Sequence, residues 1–366
     1  MREASLPDPW LGRTIAGKYR IVGQLGRGST GLVYEAVQEP LGREVAIKIL
    51  DIADHEPDRQ DRARTRFLRE ASLLSQLSHP HTVSVFDYGA DGQHPWLVME
   101  LCRGSSLAEV MGDRPMDPVR LVRIVQQVCA SLSEAHDLGM VHRDLKPANI
   151  LIMRSSEGQD VAKVVDFGLA KPLDESDQLT GTGLLVGTPM FMSPEQVRGQ
   201  GDVDQRSDLY ALGVLLYRAL TGQYPFEQQS TATVLIAHLK EPPRAFPPEL
   251  GLPISLQQLV GMLLEKDRER RLSSVGELAR HLQLIEGVLV GELAESMALR
   301  ALETSESAGL RSRTGALVFP EEVGPSPLWR TLRWMAALGV GLLLWGVVSL
   351  FVGFAAMRLF VVFVQA

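Results

Sequence analysis

The sequence predicts an α+β fold of two lobes, a small antiparallel sheet with one helix and then a larger, mainly helical lobe, followed by a linker and one apolar span. Three observations carry this. Short β-branched runs broken by glycines fill the chain up to Leu101, and stretches with helical apolar spacing dominate from Pro118 onward. Near the end, Trp334 to Met357 is a run of 24 residues without a charge. With 366 residues and 45% hydrophobic composition, the chain can bury a large core and still leave appendages.

Residues 1–18 carry Pro7, Pro9 and scattered charges but no apolar run, so they are expected to be an N-terminal extension and not a leader helix. Tyr19–Val22, Gly31–Val37 and Glu44–Leu50 alternate or are β-branched, and read as strands. The turn between the first two spans Leu25, Gly26, Arg27, Gly28, Ser29, Thr30, Gly31, Leu32 and Val33. Gly26, Gly28 and Gly31 would let backbone pass close over phosphates, and Val33 could cover a base, although a tight hairpin also needs glycines. A strand follows the glycines instead of a helix, which departs from a dinucleotide fingerprint. Lys48 lies among apolar Val45, Ala46, Ile47 and Ile49, and a cation there needs a partner. Phe67, Ala71, Leu74 and Leu77 recur at helical spacing, with Glu70 on the flank. Glu70 can reach the sheet or pair with Arg66 or Arg69 on a solvated face. His79, Pro80 and His81 stop that helix, and Val83–Tyr88 and Trp96–Leu101 give two more strands. With His94 these histidines fit no common metal-ligand spacing, so loop packing is the expectation. Cys102 and Cys129 form no CxxC and point to a reducing setting.

Pro118–Leu138 is an amphipathic helix with Leu121, Ile124, Val125, Val128, Leu132 and Ala135 as its buried stripe. It delivers the chain into His142–Leu151, HRDLKPANIL, a polar loop held between Met140–Val141 and Ile150–Ile152. There Asp144 can accept or orient a hydroxyl proton, Lys146 can offset phosphoryl charge, and Asn149 offers a carbonyl oxygen to a hard cation such as Mg²⁺. Lys163–Val165 then reads as a strand into Asp166, Phe167 and Gly168, placing a metal-binding carboxylate before a glycine. Asp208 opens a strongly apolar helix, where it can serve as an N-cap, hold backbone of the catalytic loop, or both. Together these groups point to phosphoryl transfer.

These motifs, in this order from about Tyr19 to Ile285, resemble the eukaryotic-like serine/threonine protein kinases of bacteria. The resemblance implies ATP and Mg²⁺ as cofactors and a kinase domain over residues 19–286. It makes Asp144 the base or hydroxyl-orienting group, assisted by Lys146. It pairs Lys48 with Glu70 across helix and sheet to hold phosphates with the glycine loop, and gives Asn149 and Asp166 to Mg²⁺. Met99 would stand at the back of an adenine pocket lined by Leu25, Ala46 and Leu151, and Glu100, Leu101 and Cys102 would form the hinge. Cys102 then lies near nucleotide, unless it is a buried inert thiol. Leu169–Met192 resembles an activation segment closing on Ser193–Gln196, with serine where many kinases have alanine. Thr180 and Thr182 resemble its phosphorylated threonines, with Arg143 to receive the phosphate, while Thr188 with Lys146 matches the Ser/Thr type. Asp208 would brace the catalytic loop, and Arg271 would pair with Glu195. Arg268 stands where the family often has proline. The rival from another class is a pseudokinase-type membrane-tethered scaffold, but none of the residues such proteins lose is missing. A small-molecule kinase would lack the docking segment of Thr188, Pro194 and Glu195.

The net charge of −7 argues against a nucleic-acid partner. Residues 287–333 are rich in Ser, Thr, Glu, Gly and Pro after one short helix, and read as a juxtamembrane linker. Residues 334–357 would extend about 36 Å as a helix, enough for a hydrocarbon core of about 30 Å. Arg330 and Arg333 precede that span, which predicts a single-pass protein of the inner membrane with its kinase domain in the cytoplasm. Arg358 would snorkel at the far interface, leaving 358–366 as a short tail. The expected partners are protein substrates with Ser or Thr acceptors, the lipid bilayer, and a second copy through the small residues Ala337 and Gly341.

Overall fold

The computed structural model describes residues 8–28, 31–50, 57–92, 94–167, 189–199, 203–226 and 230–314. Ser29, Thr30, Gly168, Thr180, Thr182, Thr188 and the expected span at 334–357 lie outside the described residues.

The small lobe is one antiparallel sheet of β1 (Thr14–Ile15), β2 (Tyr19–Gly28), β3 (Gly31–Gln38), β4 (Arg43–Leu50), β5 (Val85–Asp91) and β6 (His94–Glu100), in the order β1-β2-β3-β4-β6-β5. Successive side chains of a strand point to opposite faces, so β4 splits its apolar run between two cores. Val45, Ile47 and Ile49 join Tyr19, Ile21, Tyr34 and Trp96 in an outer cluster, whereas Ala46 faces Val83 and Met99 on the inner side. Lys48 keeps the parity of Ala46 and also lines the inner cleft.

Two sequence readings need correction here. Residues 8–18 are not a bare extension, because Trp10 is buried in the outer cluster and β1 adds an edge strand to β2. One aromatic in a polar run has no period by which to announce itself. The helix expected from Phe67 begins ten residues earlier, as α1 (Pro57–Leu74). Its first half, PDRQDRARTR, carries no apolar stripe and so escapes a hydrophobic-period reading.

The large lobe starts with a short strand β7 (Ser105–Ser106) and α2 (Leu107–Met111), followed by α3 (Pro118–Asp137). Asp117 caps α3 by accepting from the Arg120 amide, and Pro118 fits the first helical turn. The catalytic loop follows, then the hairpin of β8 (Ile150–Arg154) and β9 (Asp160–Val164). After a short α4 (Pro194–Val197) comes α5 (Arg206–Thr221), buried along nearly its whole length. At Gly213 a Cβ would lie 2.8 Å from Leu263 Cβ, so a glycine allows α5 to approach α7 (Ile254–Leu263) closely. Helices α6 (Thr231–Lys240) and α8 (Val275–Leu289) complete the core, with α8 packed along α3.

The linker expected from residue 287 does not begin there. Helix α9 (Glu295–Thr314) follows α8, and the compact unit of the domain runs through Leu310. Ala298 and Leu302 are buried in the main core, the Glu295 carboxylate accepts from the Ser255 amide at 3.1 Å, and His281 shares a hydrogen bond of 3.0 Å with Ser305. Exposed Ser296, Glu303 and Thr304 add to the linker-like composition of the segment. Among the described residues no helix is long and apolar enough to cross a membrane. Leu302→Ala should lower the unfolding free energy by about 2–4 kcal/mol, as expected for a buried leucine. Chemical denaturation measures this, and an unchanged midpoint would mean that α9 contributes nothing to the fold.

Candidate active site

Between the lobes lies a cleft of about 830 Å³, roofed by the β2–β3 hairpin and floored by the catalytic loop and the end of β9. Gly26 and Gly28 line it, and an added Cβ would meet nothing within 4 Å at Gly26 and only the Gly31 carbonyl at 3.8 Å at Gly28. The missing side chains therefore leave open space of the kind phosphates require. Gly31 is different, since a Cβ there would fall 2.2 Å from the Ile49 carbonyl at a φ of +150°. Its role is to close β3 onto β4. Leu32 is corrected as a nucleotide contact: it packs on the outer cluster, one residue out of phase with Val33.

Val33, Ala46, Val83, Met99, Leu101 and Leu151 give the inner cleft an apolar wall suited to a planar base. Arg27, Leu25, Glu100 and Cys102 also line it. Burial, helped by Glu100, pushes the Cys102 thiol up to about 11, so it is protonated and unreactive at neutral pH. Glu100 pairs with Lys163 of β9 at 2.7 Å, an unforeseen tie between the hinge and the strand leading to Asp166.

Lys48 is buried, and its Nζ bonds Asp166 Oδ1 at 2.8 Å. The expected Lys48–Glu70 pair is not the one formed. Burial raises the Glu70 carboxyl against the pull of Arg143 and Arg66, and Oε2 is buried without a hydrogen-bond partner. A buried ammonium requires a carboxylate, and in this arrangement the strand end supplies it before helix α1 does.

The catalytic loop hangs on Asp208, which accepts from the His142 amide at 2.9 Å, the Arg143 amide at 3.0 Å and His136 Nε2 at 2.8 Å. Burial alone would raise the Asp208 carboxyl, but His136 and the loop amides outweigh it and hold it low. Asp208 lies in the first turn of α5, whose N-cap is Gln205, so the N-cap reading falls. The sequence reading missed His136, whose only signal is its place near the end of α3. Burial lowers the pKa of His142, whose ring bonds the Val165 carbonyl at 3.1 Å and packs on Phe167 at 4.6 Å. It thus ties the loop to the strand end that carries Asp166.

Arg143 and Asp166 have φ of +62° and +57°, uncommon for residues with a Cβ and typical of backbone held by its surroundings. At the centre, Lys146 Nζ bonds Asp144 Oδ2 at 2.9 Å, and Asn149 Nδ2 bonds the Asp144 carbonyl at 2.8 Å. With its nitrogen committed there, the Asn149 amide directs its carbonyl oxygen elsewhere. That oxygen and the Asp166 carboxylate are hard donors facing one cleft, a set that suits Mg²⁺ bridging phosphates.

Glu195 and Arg271 form a two-pronged buried pair at 2.8 and 2.9 Å, with Glu195 also accepting from Ser207. Gln196, which completes a capping box with Ser193, donates to the Arg143 carbonyl at 2.8 Å and links this turn to the catalytic loop. Arg268 opens a 3-10 turn, Arg268–Arg270, just before Arg271.

A glycine-roofed cleft joined to an aspartate, lysine and asparagine loop in a two-lobed fold brings together groups suited to phosphoryl transfer from a nucleotide. Comparison with known sequences makes this specific. The pattern defining the Protein kinase domain family matches residues 19–283, and the chain belongs to that family. It is 39% identical over 287 residues to serine/threonine-protein kinase pkn3 of Myxococcus xanthus, spanning 76% of this chain and 52% of that protein. It is 37% identical to PknL of Mycobacterium bovis, over 78% of this chain and 70% of that one. The Mycobacterium tuberculosis PknI kinase domain matches with TM-score 0.58 at 28% identity, covering 75% of this chain and 98% of that structure. The chain spans between 32% and 52% of the length of the myxococcal relatives it matches.

For Glu195, burial would raise the carboxyl, but Arg271 brings it down to about 2 from 4.5. A depressed carboxylate contributes stability that is present above the unfolded value and lost as pH falls through 4.5 toward 2. The change corresponds to about 3 kcal/mol. Glu195→Gln should lower stability near neutral pH and flatten the decline between pH 4.5 and 2, read by denaturant midpoints across that range.

Proposed function

We propose that this chain is a membrane-anchored serine/threonine protein kinase that transfers the γ-phosphoryl group of ATP to Ser or Thr hydroxyls of proteins. The observation that carries this is the convergence of Lys48, Asp144, Lys146, Asn149 and Asp166 on one glycine-roofed cleft. Asp144 orients the acceptor hydroxyl and takes its proton, and Lys146, bonded to Asp144, offsets charge on the transferring group. Lys48 holds phosphates once they compete for it, and Glu70 takes its place as the carboxylate partner. Mg²⁺, held by Asn149 and Asp166, would supply charge neutralisation on the phosphates. A binding scaffold without transfer finds less support, since no group the chemistry requires is missing.

Phosphate on Thr180 or Thr182 beside Arg143 would make charge-assisted hydrogen bonds and raise activity. Residues 334–357 cross the inner membrane, and the kinase domain faces the cytoplasm, where ATP and the Arg330–Arg333 side of the span belong together. Ala337 and Gly341 favour association of two copies in the bilayer.

Asp144→Asn and Lys48→Met should each lower phosphoryl transfer at least about 100-fold while circular dichroism stays unchanged. In wild type, mass spectrometry should find phosphate on Thr180 or Thr182, and in Asp144→Asn on neither. Transfer at wild-type rates by either variant would sink the assignment.

A tag fused after Ala366 should be digested by protease added to intact spheroplasts, with the kinase domain protected. A protected tag on a membrane-bound protein would refute the single crossing.

A further inference from the structure

The family pattern begins at residue 19, yet the described chain before it is fixed to the small lobe on the face opposite the nucleotide cleft. Trp10 is 7% exposed, packs edge-on to His94 with ring centres 5.1 Å apart, and carries the Arg13 guanidinium at 5.2 Å from its ring. The Asp8 carboxylate accepts the Tyr34 hydroxyl through both oxygens, at 3.0 and 2.9 Å, and also accepts the Trp10 amide at 2.9 Å. Backbone bonds from Gly12 to the Ile21 carbonyl and from Ile21 to the Arg13 carbonyl complete the attachment.

The Asp8 contact falls on β3 and the backbone bonds on β2, the two strands whose turn is the glycine-rich hairpin, while Trp10 pins the strap to His94 at the start of β6. Tyr34 follows Val33, so one points outward to Asp8 while the other faces the cleft. The β2–β3 ladder is irregular between Ile21 and Gly23 and again between Gln24 and Gly26, the second at the step where Tyr34 and then Val33 find their partners. A bulged hairpin rich in glycine has little stiffness of its own. The Tyr34 side chain is fully buried, and its hydroxyl would lack its only observed partner without Asp8.

We infer that Asp8 and Trp10 are positioning residues for nucleotide binding, a strap outside the family domain that braces the back of the glycine-rich hairpin through Tyr34. The inference rests on the kinase reading for its kinetic form, but nucleotide affinity reads it independently. Holding the hairpin in register lets the backbone of Gly26 and Gly28 meet phosphates without first being ordered. Loss of the strap therefore weakens nucleotide binding and leaves the chemistry at Asp144 untouched.

The test uses the full chain with Trp10→Ala, Asp8→Ala, Tyr34→Phe and the Asp8→Ala/Tyr34→Phe double variant. The expected result is a rise in KM for ATP of about five- to tenfold, with kcat and the KM for a peptide acceptor within about twofold of wild type. Affinity for ADP, measured by calorimetry, should fall by the same factor. Amide exchange across residues 24–33 should quicken. The double variant should be no worse than the more affected single one, because both remove the same contact. A merely structural strap would instead lower kcat in step with the folded fraction and leave the KM for ATP unchanged, and that result overturns the inference. If Trp10→Ala does not fold, Tyr34→Phe decides, since it removes one hydroxyl and little packing. A wild-type chain that binds ADP but transfers no phosphate would refute the kinase reading alone, and the affinities would still decide the strap.

Discussion

The active site depends on one buried charge. Asp208 sits 1% exposed beneath the catalytic loop and accepts from two consecutive loop amides and from His136. A carboxylate so deep is costly unless every lone pair finds a donor. That demand fixes the backbone at His142 and Arg143, and Arg143 can then hold its unusual φ. From this anchor the order spreads. His142 reaches the strand end at Val165, Gln196 reaches the Arg143 carbonyl, and the Glu195–Arg271 pair holds the turn bearing Gln196 against the start of α5. One helix thus carries both the support of the catalytic loop and the seat of the segment that follows it.

The cleft's polar residues compete for one another. Lys48 has apolar neighbours and takes the nearest carboxylate, which is Asp166. Asp166 is also a hard donor of the kind a divalent ion takes, so the lysine occupies a group that a metal would use. Glu70, half-buried on α1, keeps an unsatisfied buried oxygen and a raised pKa. In the proposed reading, bound phosphates and a divalent ion would draw Asp166 away, and Glu70, in the same lobe as Lys48, would supply the second carboxylate.

How much of this was legible in the residues depended on distance along the chain. The loop from His142 to Leu151 and the Asp166–Phe167 pair could be read directly, because their chemistry is local and their flanks are apolar. Lys48 announced a need for a partner without naming it. The partner was settled by where β9 ends relative to β4, and no short-range pattern encodes that. Leu32 was misplaced because a motif was read as a continuous contact, whereas a strand turns every second side chain away. The partners of His136, Lys163 and Gln196 escaped notice for one reason: each acts on a group far off in sequence, and none breaks the local pattern around it.

By itself the sequence determined the class of fold, the main strands of the small lobe, the helix leading into the catalytic loop, that loop and the family, since apolar period, glycine placement and contiguous polar motifs are properties of neighbouring residues. Tertiary structure alone decided the limits of the domain and the wiring of the site. Asp8, Trp10 and α9 joined the fold only because the lobes offered them buried surface and hydrogen-bond partners, in segments whose composition otherwise looked like extension and linker. Pairing of buried charges was decided there too, because a charge removed from water takes the counter-charge that packing brings nearest, and packing is a long-range property.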